Sequence, residues 1–168
     1  RSCTCTASEI GRYWSRLGEP LLDRLEVRAL LTFEGENEES EENSWPLSPT
    51  GWSTAAMAER VAAARAIQTH RFADYSFDVN GDIPPGLLES FVPLSAGQKR
   101  SLRALCGRKK LSRRGEHAVL RVARTVADLD GARRVEERHL RRALSFRTQG
   151  NLESILKRRS QAPIDAAS

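Results

Sequence analysis

Arginines set the chemistry this sequence can attempt. The stretch LSRRGEHAVLRVARTVADLDG, from Leu111 to Gly131, reads as one amphipathic helix whose first turn carries Arg113 and Arg114. Arg121 and Arg124 follow on the same helix. A helix N-terminus already presents the positive end of the backbone dipole, so cations there are mildly unfavourable. Either these arginines are solvated bystanders or an anion belongs beside them. From Arg108 to Arg147 there are 13 Lys or Arg against 5 Asp or Glu, a net +8. Such a surface attracts phosphates, whether of a nucleotide or of nucleic acid. A solvated helical face is the plainer alternative.

Other chemistry is incomplete. No GxxxxGK[ST] loop is present to cradle phosphates, and no paired-acid strand to hold magnesium. His70, His117 and His139 lack metal-type spacing, and the last two read as surface or interhelix residues. Cys3-Thr-Cys5 offers two thiolates, but a tetrahedral zinc site needs four ligands and no second pair lies nearby. Cys106 falls on a helix and reads as a small buried apolar residue. By spacing alone, the chain carries no complete active site.

The elements that must position these groups are mostly helical. Thr6 or Ser8 can cap a helix from Ser8 to Leu17, with Ile10, Tyr13, Trp14 and Leu17 at helical spacing. Leu21 and Leu22 make one apolar turn. Residues 25–31, LEVRALL, alternate as a half-buried strand would. A lone strand cannot satisfy its edges, so a sheet is expected from elsewhere. Residues 34–52 hold six glutamates and read as an acidic surface loop. Ser53 caps a helix reaching about Phe72, with Met57, Val61, Ala64 and Ile67 as its apolar face.

Asp74 to Pro85 reads as irregular, with Asn80-Gly81 and Pro84-Pro85 as turn signals, and Leu87 to Phe91 as a short helix. Ser95 with Gln98 is a capping-box pattern for a helix through Leu102 and Leu105. In the opening helix, capped by Ser112, Val119, Val122, Val126 and Leu129 form the core face, and Asp130-Gly131 ends it. A last helix from about Val135 to Phe146 turns Leu140, Ala143 and Leu144 inward, and the tail over 148–168 reads as disordered.

The 168 residues carry a net charge of +5, and an odd three cysteines argue against a disulfide-stapled secreted domain. With no signal peptide and no apolar run near the ~18 residues of a membrane span, the reading is a cytoplasmic protein without a membrane partner. A start at Arg1 rather than Met suggests that something precedes it.

Two segments in order resemble a known family. CTCTASEIGRYWSRLGEPLLDRLEV (Cys3–Val27) resembles the end of the AAA+ core in magnesium-chelatase-like ATPases of the ComM/YifB competence type, where CxC and RY precede RISGPLLDRIDI. The opening helix with RVEERHLRRALSFR resembles that family's C-terminal helical domain, LSxRxxxxxLxVARTIADLxG followed by HLxEALxYR. ARAIQTHRF (Ala64–Phe72) fits the helix joining the two. Where the family has Ser-Gly-Pro, this chain has Gly18-Glu19-Pro20.

The resemblance implies a mainly α chain: the last helix and strand of a AAA+ α/β core, then a helical lid. The core end would be residues 1–33, the acidic loop 34–52, the lid 53–147 and the tail 148–168. Walker A, Walker B and a CPCG segment that would complete a zinc set with Cys3 and Cys5 would lie upstream. ATP and magnesium would serve the intact protein. Arg24 matches an arginine finger acting in trans, with Asp23 orienting it, and Arg114 matches the sensor-2 arginine. Arg124 and Asp128 match VARTxADL, as nucleotide contact or as an i, i+4 ion pair. The family further implies a hexameric motor that migrates DNA branches. Two alternatives are a chelatase-type ATPase subunit for metal insertion and a non-enzymatic helical module binding nucleic acid or a partner.

Overall fold

A computed structural model describes residues 5–17, 19–29 and 53–148. Cys3, the acidic loop over 34–52 and the tail beyond Thr148 lie outside the described residues. Helix α1 (Ala7–Leu17) starts at a reciprocal cap. The Glu9 amide donates to Thr6 Oγ1 at 3.3 Å, and the Thr6 amide donates to Glu9 Oε2 at 2.7 Å. Helix α2 (Glu19–Arg24) follows, and Ser53 caps α3 (Thr54–Arg71) by accepting from the Ala56 amide. Two 3-10 turns, Asn80–Asp82 and Pro85–Leu87, lead into the single turn α4 (Leu88–Phe91). The Ser95–Gln98 capping box starts α5 (Ala96–Arg108). Ser112 caps α6 (Arg113–Leu129), and α7 (Glu137–Thr148) closes the set.

Helix α6 is the axis of the fold. It packs on α7, α3, α2, α4 and the Asn80–Asp82 turn. Its face Val119, Val122, Ala123, Val126 and Ala127 meets Leu140, Ala143 and Leu144 of α7 and Leu102 and Cys106 of α5. Each large side chain buried there contributes about 1.5–3 kcal/mol, and the alanines let α6 and α7 approach closely. A smaller cluster of Phe72, Ile83 and Leu88 is roofed by Phe77 and Phe91, whose rings lie 4.9 and 5.0 Å from that of Phe72. The 74–85 segment, irregular in sequence, is thus anchored by aromatic packing.

Helix α6 ends in a Schellman motif. The Ala132 amide donates to Ala127 O at 2.8 Å and the Gly131 amide to Asp128 O at 3.0 Å, with Gly131 at φ +65°. Helix α5 ends the same way through Lys110, at φ +51°.

Two expectations are corrected. No strand occurs among the described residues, so the strand expected over 25–31 is irregular backbone over its described part, 25–29. Its alternation is real but inverted: Leu25 and Val27 are 45% and 55% exposed, while Glu26 and Arg28 turn inward to ion-pair and cap helices. A strand requires a partner ladder, and here the backbone bonds to the end of α7 instead. The second correction concerns α3. Met57, Val61 and Ile67 are exposed, and the face turned to the core is the stripe Arg60, Ala64 and Gln68. Polar partners decide that rotation. Arg60 Nη2 donates to Leu129 O at 3.1 Å, Gln68 Oε1 accepts from the Asn80 amide at 3.1 Å, and Arg71 reaches Asp128.

Candidate functional site

The N-terminus of α6 is where the sequence placed its anion question. Ser112 Oγ accepts from the Gly115 amide at 3.0 Å and so supplies one of the acceptors that a helix start needs. The same hydroxyl lies 2.9 Å from both carboxylate oxygens of Asp23. That contact brings α2, which ends at Arg24, against the first turn of α6, which bears Arg113 and Arg114. Arg113 donates to Glu116 at 3.1 Å on the helix surface. Arg114 is exposed and has no hydrogen-bond or ion-pair partner among the described residues. Arg24 is exposed too, and its Nη1 only folds back onto Pro20 O at 3.1 Å. Two exposed guanidinium groups therefore sit on neighbouring elements stitched through Asp23 and Ser112.

The C-terminal turn of α7 completes the joint. Arg147 is buried, 2% exposed, and its Nη2 donates to the Asp23 carboxylate at 2.5 Å and to Asp23 O at 2.8 Å. Its Nη1 donates to Leu25 O. In return, the Arg28 amide donates to Phe146 O at 2.8 Å and the Arg28 guanidinium to Arg147 O. Carbonyls at a helix C-terminus lack intrahelical partners, and a cation there complements the dipole. Burial, and then the nearby Arg147 charge, lower the Arg28 pKa, and Asp23 partly offsets them. Glu26 faces Arg121, which donates to it at 3.0 Å and to Ile83 O at 2.8 Å.

A second network lies deeper. The Asp128 side chain is fully buried and accepts from Arg71 at 2.8 and 2.5 Å, from Asn80 Nδ2 at 2.7 Å and from Arg124 at 3.0 and 3.1 Å. Arg124 also donates to Ala132 O and Arg133 O at 2.6 and 3.2 Å. Burial is the main cause of its lowered pKa, and the Asp128 charge opposes it. Of the two alternatives for Arg124 and Asp128, the geometry is that of the i, i+4 pair. A nucleotide contact by Arg124 would require breaking this fork. The network ties α3, the Asn80 turn and α6 together.

Other candidates are scattered. Cys5 is exposed, and no cluster of three or more His, Cys, Asp or Glu side chains capable of holding a metal occurs among the described residues. Cys106 is buried, which raises its pKa to about 11. His139 is buried between Asp130 and Glu136: its Nδ1 accepts from the Glu136 amide at 2.9 Å, and Nε2 lies 3.2 Å from Asp130. His117 is half-buried and His70 exposed. Sequence reasoning missed Arg71, Asn80 and Arg147. Asn80-Gly81 signalled only a turn, whereas the terminal arginine of the HLRRALSFR segment was itself the signal for Arg147.

The sequence profile of the family described as magnesium chelatase, subunit ChlI C-terminal, matches residues 51–147, more than half of the chain. The chain belongs to the magnesium-chelatase-like family, as a C-terminal region of its ComM/YifB type. An uncharacterized protein of Mycobacterium tuberculosis (strain H37Rv) is 34% identical over 151 residues, 89% of this chain and 28% of that protein. The competence protein ComM of Haemophilus influenzae is 29% identical over 146 residues, 86% of this chain and 26% of its own length. YifB of Escherichia coli, also uncharacterized, is 29% identical over 152 residues, 85% of this chain and 26% of its own. The chain thus spans little more than a quarter of the curated relatives it matches. No helix among the described residues is long and apolar enough to cross a membrane.

Proposed function

We propose that this region serves ATP hydrolysis within a hexameric AAA+ motor of the cytoplasm that acts on DNA. Arg24 lends its guanidinium to the γ-phosphate held by the neighbouring subunit, and Arg114 contacts the nucleotide of its own subunit. A planar guanidinium suits charge spread over phosphoryl oxygens. The observation that carries this reading is the Asp23–Ser112 contact, which sets the helix ending in Arg24 against the turn bearing Arg114. Both guanidinium groups are exposed, as groups awaiting phosphate must be. The residues present fit the outer contacts of a nucleotide and not its cradle, because the sequence has no phosphate-binding loop and no acid pair for magnesium. Phosphate cradling and magnesium therefore fall to another part of the longer protein, and zinc binding by Cys3 and Cys5 would need two further cysteines there.

Hydrolysis decides the reading. The isolated chain turns over no ATP, whereas Arg24→Ala and Arg114→Ala in the full-length protein each lower hydrolysis roughly 10³-fold or more. A near-normal rate in either variant removes that residue from the site. Arg103, Arg108, Lys109, Lys110 and Arg113 are all exposed over the stretch from α5 into the first turn of α6, which supports the DNA reading. DNA affinity should fall steeply with added salt, and a flat salt dependence argues against phosphate contacts.

A further inference from the structure

Arg147 holds the backbone on both sides of Arg24. Its guanidinium donates to the carbonyl of Asp23 and to that of Leu25, the residues flanking Arg24 in the chain. It also grips the Asp23 carboxylate, which shares Ser112 with the start of α6. The fork is seated against the first turn of α6. A Cβ at Gly115 would lie 3.4 Å from Arg147 Nη2 and 3.3 Å from Leu111 Cβ, so a residue without a side chain leaves that room. Arg147 in turn is held through its own carbonyl by Arg28. Arg147 continues the inward face of α7 one turn beyond the lid-core residues Ala143 and Leu144, and its guanidinium there meets the backbone of Asp23 and Leu25.

We propose that Arg147 is a positioning residue for Arg24, and that with Asp23, Ser112 and Gly115 it forms a latch. The latch makes the first turn of α6, with its sensor arginine, and the finger segment move as one body. It rests on the reading of Arg24 as the finger. The consequence is directional. Arg114 reports on the nucleotide of its own subunit, and Arg24 acts on the nucleotide of the next. A rigid joint between them lets occupancy at one site set the finger at the neighbouring one. Only a fork-shaped cation serves here, because one planar group must reach two carbonyls and a carboxylate at once. A lysine keeps the charge and loses that geometry.

The test is steady-state ATP hydrolysis by the full-length protein bearing Arg147→Lys, with Asp23→Asn as a second variant and Arg24→Ala run alongside. A displaced catalytic group can lose roughly 10²-fold in rate without loss of substrate binding. Arg147→Lys is therefore expected to lower kcat by about that factor, leave KM for ATP unchanged and bring the Hill coefficient for ATP towards one. Asp23→Asn should move all three in the same direction, and it decides the matter if Arg147→Lys does not fold. A merely structural arginine would lower the melting temperature and leave kcat per folded protein and the Hill coefficient alone. That outcome in both variants, with Arg24→Ala inactive, overturns the latch and leaves the finger standing. Full activity of Arg24→Ala overturns the finger, and the latch with it.

Discussion

Asp128 is the point at which this fold should be most fragile. Its carboxylate carries the only negative charge in direct contact with Arg71 and Arg124 among the described residues, and it is wholly buried. Asp128→Asn keeps the shape and removes the charge. The new amide nitrogen then meets the donors of Arg71, Asn80 or Arg124, and Arg124 is left as a buried cation without a counter-charge. Breaking a buried pair by removing one partner costs about 3–5 kcal/mol. A domain of this size has a total stability of roughly 5–15 kcal/mol. Each 1 kcal/mol moves the melting temperature of a small domain by about 4–8 °C, so a fall of more than about 10 °C is expected.

The assay is guanidinium and thermal unfolding of the chain followed by far-UV circular dichroism. The exposed Lys99–Glu89 pair is the control, and Glu89→Gln should change little. Adding Arg71→Met to Asp128→Asn should cost less than the sum of the two single changes, because their effects share one network. Asp128→Asn within about 1 kcal/mol of the unsubstituted chain would refute the reasoning, since the carboxylate would then not be neutralising a buried cation.

Three further outcomes follow from the same structure. In a chain with Cys3 and Cys5 replaced by Ser, Cys106 should resist a thiol reagent at pH 8 until denaturant is added, because burial holds its pKa at about 11; rapid labelling of the folded chain would contradict that burial. Burial also lowers the His139 pKa below 6.5 in the folded chain, the Asp130 hydrogen bond only partly opposing it. The unfolded chain therefore binds more protons below pH 6.5, so stability should fall as pH drops from about 6.5 towards the folded pKa, and His139→Gln should flatten that slope in denaturant titrations. Lys110 sits in the left-handed region at the end of α5. Lys110→Gly relieves about 1–2 kcal/mol of backbone strain and restores about 0.5–1 kcal/mol of unfolded-state entropy, so a small rise in melting temperature is expected, and a fall would show that the lysine side chain matters there.

Much of the helical framework is legible in the sequence, because its signals are local. Ser53, Ser95 and Ser112 each sit one residue before a helix and accept from its first amides, and Asp130-Gly131 ends α6 as its turn chemistry requires. The valine spacing of α6 and the inward leucines of α7 predict their own contact, since helical periodicity and burial are the same fact seen twice. The 25–31 segment misled for the same reason: alternation within a chain does not say which face has a partner. The rotation of α3 was equally hidden, because Gln68 and Arg71 are drawn inward by polar partners 12 and 57 residues away.

What the sequence determined alone was therefore the helices, their caps, the apolar faces of α6 and α7, and the motif order that relates the chain to its family. What only the tertiary structure decided was which charged groups meet. Arg124 and Arg147 are both arginines on amphipathic helices rich in other arginines, and nothing local distinguishes a buried strut from a phosphate ligand. Partners at separations of up to 124 residues make that choice, placing Arg147 on Asp23 and leaving Arg114 exposed. The energy of an ion pair depends on burial and on the full set of neighbouring donors, and those exist only once the chain has folded.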